Sequence, residues 1–213
     1  MTQVKNHSVK IIVGLLILGA IGAIVFAKQK DSAIDEGLVI SEKVKGNPEA
    51  DIVLAKYSDL QCPACRAAYP VVDSILEEYG DHVRFEYHHF PLISIHPQAV
   101  RAAQAAEAAG QQGEFFAYHD IVFDRQQEWS GQSQGSIDSI FESYAEELGL
   151  DLELFQQHMK SVKIRNHVLD QYASANNDGF SSTPTFTLNG ERIDYGGYNA
   201  LKELIEEEIA LLE

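Results

Sequence analysis

Two cysteines, Cys62 and Cys65, stand three positions apart in the segment Ser58-Asp59-Leu60-Gln61-Cys62-Pro63-Ala64-Cys65, and the chain has no others. One helical turn separates them if a helix starts at the first. Pro63 suits the first helical position, where no amide hydrogen is needed. Cys62 then faces unsatisfied backbone N–H groups and the positive end of the helix dipole, which favours its thiolate. Pairs of this kind have nucleophilic thiol pKa values on the order of 3.5 to 7, against roughly 8.5 for free cysteine. Each unit of depression is worth about 1.4 kcal/mol. A stabilised thiolate is also a good leaving group, so such a disulfide passes readily to another thiol. Cys65, one turn further in, is placed to resolve or close a mixed disulfide.

Three other readings compete for the pair. A structural disulfide would close a loop of only four residues and stabilise little. A metal half-site needs further ligands, and none of the eight histidines has the paired spacing of a zinc site. A cytoplasmic reductase is disfavoured by the apolar leader described below. No metal and no cofactor are expected. A second motif, Ser182-Thr183-Pro184-Thr185-Phe186, puts Pro184 at the first residue of a strand. A cis bond there would offer the Thr183 backbone as an edge for an extended substrate peptide; the alternative is an ordinary trans proline.

The elements that must position these residues follow from hydrophobic periodicity. Asp51 to Tyr57 reads as a buried central strand. From Pro63 to Tyr79 the pattern turns helical, with Ala67, Val71, Ile75 and Tyr79 on one face and Gly80 as the stop. His82 to His88 alternates as a strand, completing a strand–helix–strand unit with parallel strands. Helical segments follow: an Ala-rich stretch at 96–109, then 115–123, 136–148, 152–159 and 162–176. Phe115, Phe116, Tyr118 and Phe123 are read as core of this block rather than as a substrate groove. Thr185 to Leu188, the Asn189-Gly190 turn and Glu191 to Asp194 form a hairpin, and 199–212 is an amphipathic helix. This is an α/β domain interrupted by helices.

Residues 1–10 read as a short tail and 11–27 (IIVGLLILGAIGAIVFA) as a transmembrane signal anchor, at the lower end of what spans a bilayer. Val25 and Ala27 would also suit cleavage of a signal peptide near Ala27. Residues 28–45 are a linker leading into the domain, which covers 46–213 with its helical insertion at about 94–178. The formal net charge is −16. From residue 28 onward, 14 basic face 32 acidic residues, a net of −18. Such a field keeps a tethered domain soluble and argues against nucleic acid as a partner, since phosphate binding needs a basic face.

The Cys-Pro-Ala-Cys after a strand, the helical insertion with His88-His89-Phe90-Pro91-Leu92 and His96 at its head, and Thr-Pro-Thr-Phe-Thr-Leu-Asn-Gly beyond it together resemble the DsbA-like family of thiol–disulfide oxidoreductases. The resemblance implies a thioredoxin-like fold with an inserted helical domain. It further implies a cis peptide before Pro184, Cys62 as the solvent-facing attacking thiol and Cys65 as the buried one. The activity implied is disulfide donation to unfolded or reduced exported proteins, with the catalytic domain outside the cytoplasm and a quinone-linked membrane thiol oxidase for reoxidation. A reductase, an isomerase or a non-catalytic anchored scaffold are the alternatives. One position departs from the pattern: Lys56 stands six residues before Cys62, where a buried acidic residue is common. On an alternating strand Lys56 shares a face with Ile52 and Leu54, so it either tunes the redox couple from a partly buried place or snorkels to water. Pro63 and Ala64 are tuning positions too. Histidines 88, 89 and 96 are read as packing or surface residues.

Overall fold

The computed structural model describes residues 12–13, 15–19 and 34–212. They fall into two units, one up to Leu38 and one from Val39 onward. In the first, residues 12–13 and 15–19 are helical and exposed. The expected tail 1–10 and most of the expected span 11–27 lie outside the described residues; among those described, no helix is long and apolar enough to cross a membrane.

The second unit is built on a five-stranded sheet of order β1-β3-β2-β4-β5. Its strands are β1 (Lys43–Gly46), β2 (Ile52–Ser58), β3 (Val83–His89), β4 (Thr185–Leu188) and β5 (Glu191–Ile193). β2 and β3 run parallel, as a strand–helix–strand unit requires, while β1, β4 and β5 pair antiparallel to their neighbours. β1 was expected only as linker. Its closing Gly46 has φ +77°, and a Cβ there would stand 2.3 Å from the Val83 carbonyl oxygen, so only glycine fits. The Asn189-Gly190 turn has positive φ at both residues, as a tight two-residue hairpin demands.

Helix α1 (Pro63–Tyr79) connects β2 to β3. It buries Cys65, Ala68, Val72, Ile75 and Tyr79, whereas Ala67 is exposed and Val71 half-buried, so the buried face is turned by one residue near the N-terminus from the one expected. Turning Cys65 inward sets that phase. Between β3 and β4 come α2 (Ala99–Gly110), α3 (Phe115–Asp124), α4 (Gln126–Trp129), α5 (Gln134–Glu147), α6 (Leu152–His158) and α7 (Val162–Asn177). Phe115, Tyr118, Phe123, Trp129, Phe141 and Phe155 are buried in the same hydrophobic core as the sheet and α1, the core role expected of Phe115, Tyr118 and Phe123, while Phe116 packs half-buried against it. Their polar tips are used: Trp129 Nε1 donates to the Val122 carbonyl at 2.9 Å and Tyr118 Oη to that of Phe141 at 2.9 Å. Helix α8 (Tyr198–Leu212) closes the fold, burying Leu201 and Ile205.

Candidate active site

β2 ends at Ser58 and α1 begins at Pro63, so the four residues between them turn the chain and Cys62 becomes the N-cap of α1. Its φ of −76° and ψ of 122° are extended, as an N-cap requires, and Pro63 follows at the first turn. Cys62 shows only 7% of its surface and Cys65 none, so the first thiol is more enclosed than a solvent-facing nucleophile was expected to be. Pro63 and Ala64 are exposed beside it.

The two sulfurs meet opposite environments. Cys62 is drawn down to about 5, mainly by the hydrogen bond from the Cys65 thiol; desolvation opposes this, and the Thr183 side chain with the backbone N–H groups of Cys65 and Ala64 add to the lowering. Cys65 is pushed well above its usual range, first by burial and then by the sulfur of Cys62, against which Lys56 and the Asp59 N–H act. Such a split lets one thiol ionise while the other keeps its proton.

Thr183 and Pro184 arrive from the far side of the insertion at the head of β4. The bond between them is cis. The Thr183 carbonyl oxygen lies 3.5 Å from Cys62 Sγ, and Thr183 and Pro184 keep part of their surface open. Of the five positions singled out around the dithiol on sequence grounds, Pro63 and Ala64 are exposed, Thr183 and Pro184 are half-buried, and Lys56 is buried.

Lys56 does not snorkel. It is 1% exposed, because its side chain points from the central strand into the core under Phe123 of α3. Its Nζ donates to the Cys65 carbonyl at 3.4 Å and stands 5.3 Å from the Phe123 ring. Burial lowers its pKa from 10.5 to about 8, with the Cys65 sulfur the largest influence in the other direction.

Several polar residues that carry no periodicity complete the turn. Gln61 Nε2 donates to the Ser130 carbonyl at 2.7 Å, and its Oε1 accepts from the Gln98 amide at 2.7 Å. Gln126 Nε2 donates to the carbonyls of Leu60 at 2.7 Å and Cys62 at 3.1 Å. These bonds fasten the insertion to the dithiol turn and satisfy carbonyls that a buried loop leaves over. Nothing in the sequence pattern marked Gln61, Gln98 or Gln126, since a glutamine bonding to backbone leaves no spacing signature.

Residues 39–207 match the family model described as thioredoxin. The chain belongs to the thioredoxin family. Within it, the fold is that of the DsbA-like thiol–disulfide oxidoreductases, with the helical insertion between β3 and β4. A thioredoxin-like oxidoreductase from Silicibacter pomeroyi DSS-3 superposes with a TM-score of 0.66 at 27% identity, covering 84% of this chain and 97% of that one. Alpha-DsbA1 of Wolbachia pipientis superposes with a TM-score of 0.65 at 22% identity, covering 83% and 96%, and shows likeness of fold alone. By sequence, this thioredoxin-family chain is 37% identical over 158 residues to a protein of Salinispora tropica named Na(+)/H(+) antiporter NhaA 3, a match covering 74% of this chain. It spans 23% of that longer protein's length.

Proposed function

We propose that this chain is an extracytoplasmic protein thiol oxidase that gives the Cys62–Cys65 disulfide to reduced or unfolded exported proteins. One arrangement carries the reading: Cys62 caps the N-terminus of α1 with the carbonyl of the cis Thr183–Pro184 peptide 3.5 Å from its sulfur, and Cys65 lies fully buried one turn behind it. The Cys62 thiol is held down to about 5 while the Cys65 thiol is pushed well above its usual range. A reduced pair holding a stable thiolate makes its disulfide a strong oxidant.

The chemistry is two exchanges. A substrate thiolate attacks Cys62 Sγ, the Cys62–Cys65 bond breaks, and Cys65 leaves with the electron pair as a thiolate that then takes up a proton. A second substrate thiolate attacks the substrate sulfur of the mixed disulfide. Cys62 departs as the stabilised thiolate and the substrate keeps the new disulfide. The backbone at Thr183 and Pro184, beside Cys62, offers an edge on which an extended substrate strand can align. Lys56, buried under the pair, adds positive charge that favours thiolate, and Pro63 and Ala64 modulate the helix start.

The apolar run 11–27 serves as the anchor that keeps the domain at the membrane, with secretion after cleavage near Ala27 as the variant of the same placement. Reoxidation then falls to a quinone-linked membrane thiol oxidase, which a tethered domain meets by diffusion in two dimensions. The match to the protein named an antiporter covers 158 residues and less than a quarter of that protein's length, so ion exchange is not carried over to this chain.

The test is the reduction potential of Cys62–Cys65 against glutathione. A value near that of DsbA, about −120 mV, is expected; one near thioredoxin's, about −270 mV, would make the chain a reductant. Replacing both cysteines by alanine should abolish oxidation of a reduced unfolded protein, whereas an anchored scaffold would lose nothing.

A further inference from the structure

Asp59 lies in the turn between β2 and α1 with its side chain wholly buried. Both carboxylate oxygens are occupied. Oδ1 accepts from the Gln61 amide at 2.7 Å, and Oδ2 accepts from the Leu92 amide at 2.8 Å and from His96 Nδ1 at 2.7 Å. A carboxylate can only accept, so the proton in the last contact belongs to Nδ1. The backbone N–H of the same Asp59 donates to Cys65 Sγ at 3.4 Å. One residue thus joins the loop that follows β3 to the buried sulfur. His96 is largely covered, with 16% of its side chain exposed.

We propose that His96 is a positioning residue for disulfide exchange: by fixing the Asp59 carboxylate, it holds the Asp59 N–H on Cys65 Sγ and speeds the departure of Cys65 as a thiolate. This rests on reading Cys62–Cys65 as an exchange couple. The step assisted is the first one, in which a substrate thiolate bonds to Cys62 Sγ, the Cys62–Cys65 bond breaks and the electron pair goes to Cys65. An N–H aimed at that sulfur is a stronger donor to the thiolate than to the disulfide, so it stabilises charge as it develops. A less basic leaving sulfur also departs faster. Removing one of the three donors on a buried carboxylate loosens the turn that aims the amide.

The experiment follows mixed-disulfide formation when the oxidised full chain meets reduced glutathione, with acid quench and mass spectrometry. His96→Ala should slow this step roughly three- to tenfold, the worth of one net hydrogen bond. His96→Asn, whose side-chain N–H takes the place of Nδ1, should stay within about twofold of wild type. His96→Gln reaches toward the Nε2 position instead and should be slow. That pair decides the matter even if His96→Ala fails to fold. Hydrogen exchange at the Asp59 amide should quicken in the slow variants and not in His96→Asn. Equal rates in His96→Asn and His96→Gln, or a wild-type rate in a folded His96→Ala of lowered thermal stability, overturn the proposal. A reductant-like potential would remove the oxidase reading and leave this rate comparison intact, so the two failures are separable.

Discussion

Lys56 shows how much one side chain can settle about the couple above it. Its ammonium is buried beside the Cys65 carbonyl and the Phe123 ring, and burial brings its pKa to about 8. The unfolded lysine holds its proton to near 10.5, so between these values the unfolded chain binds more protons and stability rises with pH. Below about 8 the buried charge costs its full amount. Lys56→Met should therefore raise the stability of the oxidised protein at pH 7 by on the order of 2–3 kcal/mol, read by denaturant unfolding. The same change should make the reduction potential more negative, because the reduced pair loses a positive charge that favours thiolate. A more oxidising variant would remove Lys56 from the list of tuning residues.

At the scale of elements, the fold depends on an ion cluster that ties β1 and β3 to α2. Glu107 is fully buried, with Lys43 Nζ at 2.9 Å, His89 Nε2 at 3.1 Å and His167 Nε2 at 3.9 Å. Burial alone would raise this carboxyl; the His89 and Lys43 contacts overcome that and hold it below its ordinary 4.5. A depressed carboxyl adds stability above the unfolded value, and that share is lost as pH falls below about 4.5 toward the folded one. Glu107→Gln should cost about 3–5 kcal/mol in urea unfolding at pH 7, because Lys43 is left buried without its counter-charge, and should flatten the acid limb. β1 was hidden in the sequence for the same reason: Lys-Val-Lys-Gly reads as linker until a partner for Lys43 is known. The face of α1 was misread by one position at its start because Ala67 and Ala68 are indistinguishable by hydropathy. Only the inward turn of Cys65 chooses between them. The central strand, the hairpin and the aromatic helices were legible because alternation, Asn-Gly and bulky apolar spacing are local signals.

For the molecule as a whole, the redox state is coupled to global stability. Folding lowers the Cys62 thiol from 9.0 to about 5, so the reduced protein gains stability that is fully present above about 9 and lost as pH falls through about 5. The oxidised protein has no such group. The stability of the reduced form relative to the oxidised one should therefore climb from pH 5 to 9 at about 1.4 kcal/mol per pH unit. Above 9 it should turn over, since the raised Cys65 thiol keeps a proton that the unfolded chain releases. Paired thermal melts of the two forms across this range check both limbs. The dithiol itself, the cis Thr183–Pro184 peptide and the order of motifs could be read or anticipated from the chain. The polar brace of Asp59, Gln61, His96, Gln98 and Gln126 could not, because its members come from the turn, the loop after β3 and the insertion and meet only once the insertion has packed.

Thiol exchange in this protein turns on the charge of one sulfur, and the most direct measurement is the pH dependence of Cys62 alkylation by iodoacetamide in the reduced protein, with Cys65 changed to alanine in a parallel sample. In the native pair the rate should rise with a midpoint near pH 5 and stay flat through neutrality; the Cys65→Ala variant, which has no side-chain donor, should titrate higher because the donated thiol hydrogen bond is the main cause of the lowering. A native midpoint near the ordinary 9.0 would contradict the thiolate and the oxidase reading built on it.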